Sequence, residues 1–177
     1  MKANIDDVLK FYWDRFHIIE KCFVFLSAFE HDNKEIKEIK KINKDFVLLA
    51  EYCISNTMML DLYSFLSNDG FSLNKFLSTL RKNPIFKNNE ELNEIENLIK
   101  KGRNFEEYKS LRSLRNQHIA HFGVSLADDE SLHKCAKFLD FNKLTGLFFY
   151  ESFLLKWVTE IIEENKCLTP NATSESK

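Results

Sequence analysis

An all-α fold is what this sequence predicts, and three observations predict it. Apolar residues recur at steps of three and four along most of the chain. No stretch alternates with the period of two that a half-buried strand requires, and neither a Gly-rich phosphate loop nor an internal repeat is present. With 177 residues, one domain is expected, long enough to bury a substantial core without disulfides or metals.

The elements follow in chain order. The row Ile5, Leu9, Tyr12, Phe16, Ile19, Phe23, Leu26 predicts a long first helix, and Val8, Phe11, Ile18, Cys22, Phe25 and Phe29 widen its buried face. It breaks at His31-Asp32-Asn33. A second helix is expected from about Lys34 to Ser67, one element roughly 50 Å long at about 1.5 Å per residue. Its seam is Ile39, Ile42, Phe46, Leu49 and Cys53, resuming at Leu60, and its charged first third, NKEIKEIKKINK, projects from the bundle. Asn68-Asp69-Gly70 is a turn, and Ser72–Arg81 reads as a short helix stopped by Asn83-Pro84. Another helix, about Asn89–Lys101, is opened by Asn88 with Glu91 as capping partner and stopped by Gly102.

Asn104 as N-cap and Glu107 closing a capping box then begin a helix of about five turns, which Gly123 ends in the left-handed position. Beyond it come a short extended run, Val124–Leu126, and a helix capped by Asp128 or Asp129 that runs through Phe138. A last long helix starts at Asp140 or Asn142 and ends near Lys166. Residues 1–167 thus form one helical domain, and the polar tail 168–177 is expected to be disordered.

Composition narrows the function. A formal net charge of −2 leaves no global positive field, so any nucleic-acid contact is local. Cys22, Cys53, Cys135 and Cys167 lack the paired spacing of a zinc site or redox motif and read as buried free thiols in a reducing compartment. The N-terminus carries acidic residues where a signal peptide is basic and apolar, and the best membrane candidate, Leu144–Ile162, contains Glu151, Lys156 and Glu160. A cytoplasmic protein with no membrane partner is expected. His17, His31 and His133 have no ligand spacing and read as structural or surface residues; neither a metal nor a cofactor is expected.

One helix carries an anomaly. At about 100° per residue, Tyr108, Leu111, Ile119 and Phe122 share an apolar face with Arg115 near its middle and His118 at its edge. A guanidinium is always charged, so an Arg in such a stripe must meet a carboxylate such as Glu151, a second chain, or a ligand anion. Lys outnumbers Arg 20 to 5, yet Arg112 and Arg115 lie in this helix with Arg103 just before it, which hints at a need for the planar fork.

The run Leu111–Phe122, LRSLRNQHIAHF, resembles the Arg, polar residue, four residues, His signature of the HEPN superfamily, and most closely its abortive-infection type. The resemblance rests on about a dozen residues. It implies a HEPN-like bundle of long antiparallel helices plus short ones, with the motif helix at a homodimer interface. It also implies a metal-independent endoribonuclease of a toxin or antiphage system, and a cognate antitoxin or defence-system partner.

Cleaving RNA without metal requires a base for the 2′-hydroxyl, an acid for the leaving 5′-oxygen and positive charge on the phosphorane between them. In that reading Arg115 binds and stabilises the phosphate, His121 shuttles protons, Asn116 assists, and Arg112 and His118 help hold RNA. The segment 33–44 would then be either a solvated helix end, with Ile36, Ile39 and Ile42 packed on a neighbour, or a basic arm touching RNA. Arg115 and His121 lie about 120° apart around a regular helix, so a shared site needs a loosened helix or a second copy. The rival expectations are a non-catalytic HEPN module that binds nucleotide or RNA or scaffolds a dimer, and an unrelated helical adaptor carrying the motif by chance.

Overall fold

The apolar rows at helical spacing do form helices. The computed structural model describes residues 4–30, 34–68, 72–115 and 141–167. Of these, 89% are helical, and no strand occurs among the described residues. The elements are α1 (Ile5–Glu30), α2 (Lys34–Ile42), α3 (Lys44–Leu66), α4 (Leu73–Leu80), a 3-10 turn (Pro84–Phe86), α5 (Glu90–Gly102), α6 (Glu106–Leu114) and α7 (Phe141–Cys167).

Three long helices form the frame. Tyr12 and Phe16 near the start of α1 pack against Phe65 near the end of α3, so these two run antiparallel. α1 and α7 are antiparallel as well: Trp13 Nε1 donates to Thr159 Oγ1 at 3.2 Å, Lys166 pairs with Asp6, and Phe23 meets Phe148. The shorter α4 and α5 close one end. The Tyr12 hydroxyl, pushed up to about 12 by burial, donates to the Ser72 carbonyl at 2.8 Å and ties α1 to the start of α4. The Tyr150 hydroxyl donates to the Leu98 carbonyl at 2.7 Å, fixing α5 on α7. One continuous core results, running from Leu9 through Met58, Leu62, Leu77, Ile95 and Leu111 to Ile162.

Several expectations fail locally. The long second helix is two: Asn43 leaves helical geometry at φ −151° and ψ 88°, and its side chain accepts from the Phe46 amide at 3.0 Å, capping α3. A side chain that competes for backbone donors is a cap before it is a helix interior, and the periodicity concealed that. The expected α3 seam also faces outward, with Phe46, Leu49, Cys53 and Leu60 exposed and Val47, Met58, Met59, Leu62, Phe65 and Leu66 buried instead. α3 is apolar nearly all round, so its period does not choose a face. On α1, Ile18 and Phe25 are exposed for the same reason, since the row through Tyr12 and Ile19 meets the other helices.

Caps moved by one residue. Asn89 rather than Asn88 opens α5, accepting from the Leu92 amide at 3.0 Å. Gly102 does not stop that helix in a left-handed turn; it is the last helical residue, followed by Arg103 at φ −64°. Its lack of a side chain serves packing, because a Cβ there would sit 2.7 Å from the Tyr150 ring and 3.1 Å from Leu66.

Candidate functional site

Chain geometry between α5 and α6 positions the site. The amides of Asn104 and Phe105 donate back to the Lys101 and Gly102 carbonyls, and the Asn104 side chain donates to the Lys100 carbonyl at 3.3 Å. Asn104 therefore finishes α5 and does not cap α6, as its neighbourhood with Glu107 suggested. Phe105 holds the cap position without a side-chain bond, and its ring packs edge-on to Tyr150 at 4.9 Å. Glu106 and Glu107 in the first turn and Arg112 in the last complement the helix dipole of α6.

Tyr108 and Leu111 are buried, as the apolar face requires, and the steps of three and four carry Arg115 onto the same face. Arg115 keeps helical geometry at φ −56° and ψ −44°, and its amide donates to the Arg112 and Leu111 carbonyls. Its guanidinium carbon stands 5.6 Å from the centroid of Tyr63 on α3, half-buried. Tyr63 in turn stacks on Tyr108 at 5.4 Å with 13° between the rings. Burial, then the neighbouring Tyr63, pushes the Tyr108 hydroxyl well up, against the opposing pull of Arg103 and Arg112. The two rings thus form an aromatic platform between α3 and α6, and a guanidinium over a ring face is attracted by its quadrupole.

Of the expected site residues, Arg115 lies over this platform and Arg112 is exposed one turn earlier. Asn116, His118 and His121 lie outside the described residues, as do Ile119, Phe122, Gly123, the run 124–126, the expected helix through Phe138 and the tail 168–177. Arg103, counted with the motif arginines, is structural. Its Nε and Nη2 donate to the Leu66 and Ser67 carbonyls, closing the C-terminal end of α3. His17 is a surface residue 3.4 Å from Glu20, as expected, while Cys53 is exposed where a buried thiol was expected.

Glu151 does not meet Arg115. It is fully buried on α7, and neither carboxyl oxygen has a hydrogen-bond partner among the described residues. Burial pushes its pKa well above the ordinary carboxylate range. Asp61, also buried, pairs with Arg15 across α1 and α3. Both acids sit on apolar stripes, Glu151 among Leu147, Leu154, Leu155 and Val158, the same signal that singled out Arg115. Among the described residues no group of three or more His, Cys, Asp or Glu could hold a metal ion, and no helix is long and apolar enough to cross a membrane.

No family model, no curated protein and no solved structure matches the chain, so its own residues carry the functional reading.

Proposed function

We propose that the chain is a HEPN-type, metal-independent endoribonuclease with a toxin or antiphage role, acting as a homodimer whose two motif helices face each other. The observation that carries this reading is Arg115, a half-buried arginine held over Tyr63, one residue before Asn116 and six before His121. An arginine oriented by a ring is preorganised for a phosphate, which its planar fork binds through two parallel donors. The all-helical bundle supports it as well. Attack by the 2′-oxygen yields a 2′,3′-cyclic phosphate and a 5′-hydroxyl, with His121 moving the proton and Asn116 steadying the phosphate. Arg112 and His118 hold the strand, and an antitoxin or defence-system protein is the expected regulatory partner.

A second reading, a non-catalytic HEPN dimer that binds nucleotide or RNA, draws on Arg103. Its fork is engaged by α3 carbonyls, which leaves fewer arginines for an RNA groove.

The test is cleavage of RNA by purified protein. Arg115→Ala should lower the rate at least about 10²-fold, the scale for losing a donor that stabilises transition-state charge, while stability changes by only about 0.5–2 kcal/mol, the scale from an exposed to a desolvated cation–π contact. His121→Ala should be as damaging. A substrate with one deoxyribose at the cut should resist, and cleavage should survive EDTA. Wild-type activity equal to that of Arg115→Ala, His121→Ala would leave the non-catalytic reading.

A further inference from the structure

The side chains that α3 turns away from the core form a regular seam. Phe46, Leu49, Cys53 and Leu60 follow at steps of three, four and seven, the 3.5-residue period with which one helix packs along another. On α2, Ile39 and Ile42 continue the same spacing, although the Asn43 cap interrupts the helix between them. Exposure is greatest around the α2–α3 junction and falls toward the end of α3: Ile42 is 85% exposed, Phe46 61%, Leu49 50% and Leu60 37%. We infer that the outward face of α3 is a self-association surface on which a second copy of this chain lays its own α3.

Area supports a second copy as the occupant. The six side chains expose on the order of 500 Å² of largely apolar surface, at the upper end of what a monomer leaves uncovered. A stable interface buries roughly 800 Å² per partner, so these side chains would supply the larger part of one. Charge favours the same occupant. Of the positions flanking the α3 seam, Ala50, Tyr52 and Thr57 carry no acidic or basic group and Asp45 is the one acidic residue, so two copies do not confront rows of like charge. A nucleic acid or an anionic lipid surface would require cations beside the seam; the lysines lie on α2 and at its junction, interspersed with Glu35 and Glu38. Cys53 lies at the midpoint of Phe46–Leu60. Antiparallel pairing about a two-fold axis there opposes Cys53 to its own copy, Phe46 to the partner's Leu60 and Leu49 to the partner's Thr57.

The seam residues belong to α2 and α3 and none to α6, so a chain that also pairs through the motif helix would assemble beyond a dimer. The experiment is sedimentation velocity on the full chain at tens of micromolar, comparing wild type with Phe46→Glu, Leu49→Glu and with Ile119→Asp. The exposed double variant should keep its circular dichroism spectrum and lose one two-fold step in mass, whatever Ile119→Asp does. A short bismaleimide should give a covalent dimer that Cys53→Ser abolishes. Unchanged mass in the double variant, or cross-linking indifferent to Cys53, would overturn the inference. So would a wild-type monomer that co-sediments with phosphatidylserine vesicles through Phe46 and Leu49, which would assign the face to a membrane surface.

Discussion

At the scale of the single residue, Glu151 shows what an unpartnered acid does to a helical core. Buried and without a hydrogen-bond partner among the described residues, its carboxyl is held neutral, with its pKa raised by desolvation. Below the ordinary carboxylate range both folded and unfolded chains hold this proton, so its titration costs nothing. Above that range the unfolded chain releases the proton and the folded chain keeps it, so stability falls as pH rises toward the folded value. Glu151→Gln should remove this decline. Its melting temperature relative to wild type should improve progressively as pH rises above the ordinary Glu value of about 4.3. Glu151→Met, which also removes the unmet polar atoms, should add about 1–3 kcal/mol at neutral pH. Parallel melting curves as pH rises would show that Glu151 finds a partner. Arg115 poses the opposite case: a guanidinium keeps its charge, and the Tyr63 ring, itself stacked on Tyr108, lies beneath it.

At the scale of the element, asparagines decide where helices begin. Asn43 and Asn89 each accept an amide three residues on, at 3.0 Å, yet their replacement should not cost the same. Asn89→Ala removes the cap of a helix preceded by the 3-10 turn, with no helical neighbour to extend. It should lose about 1 kcal/mol, or about 2–4 °C in melting temperature for a chain of this size. Asn43→Ala joins α2 to α3 with a strong helix former, so the lost cap is offset by a continuous helix. Thermal melts of both variants decide this, and equal losses would mean that α2 does not run on into α3. The same junction turns α2 into an exposed element with no buried residue of its own.

At the scale of the whole molecule, α7 joins the ends of the fold. It packs on α1, α3, α5 and α6, and its last turns bury Val158, Ile161 and Ile162 completely or nearly so. Removing a buried isoleucine costs about 2–5 kcal/mol, and a whole domain is stable by only about 5–15 kcal/mol. A chain ending at Glu160 should therefore lose cooperative unfolding, seen as a flat melting curve by circular dichroism. A truncated chain melting within a few degrees of the full one would show that α1, α3 and α5 hold the core without the end of α7.

What the sequence determined by itself was the class of fold, the extents of α1, α4 and α7, and the face of α6 that carries Tyr108, Leu111 and Arg115. Those follow from local physics: a period of 3.6, turn residues between the rows, and a charge where a stripe should be apolar. Tertiary structure decided which stripe of α3 faces the core, because a helix apolar on several sides is oriented only by the neighbours it meets. It also assigned Gly102 to close packing rather than to a helix stop, and Arg103 to the carbonyls of Leu66 and Ser67 rather than to a ligand. Tyr63 as the ring beneath Arg115 lies 52 positions earlier on another helix. No spacing within the motif could announce it, since a contact between α3 and α6 exists only once the bundle has closed.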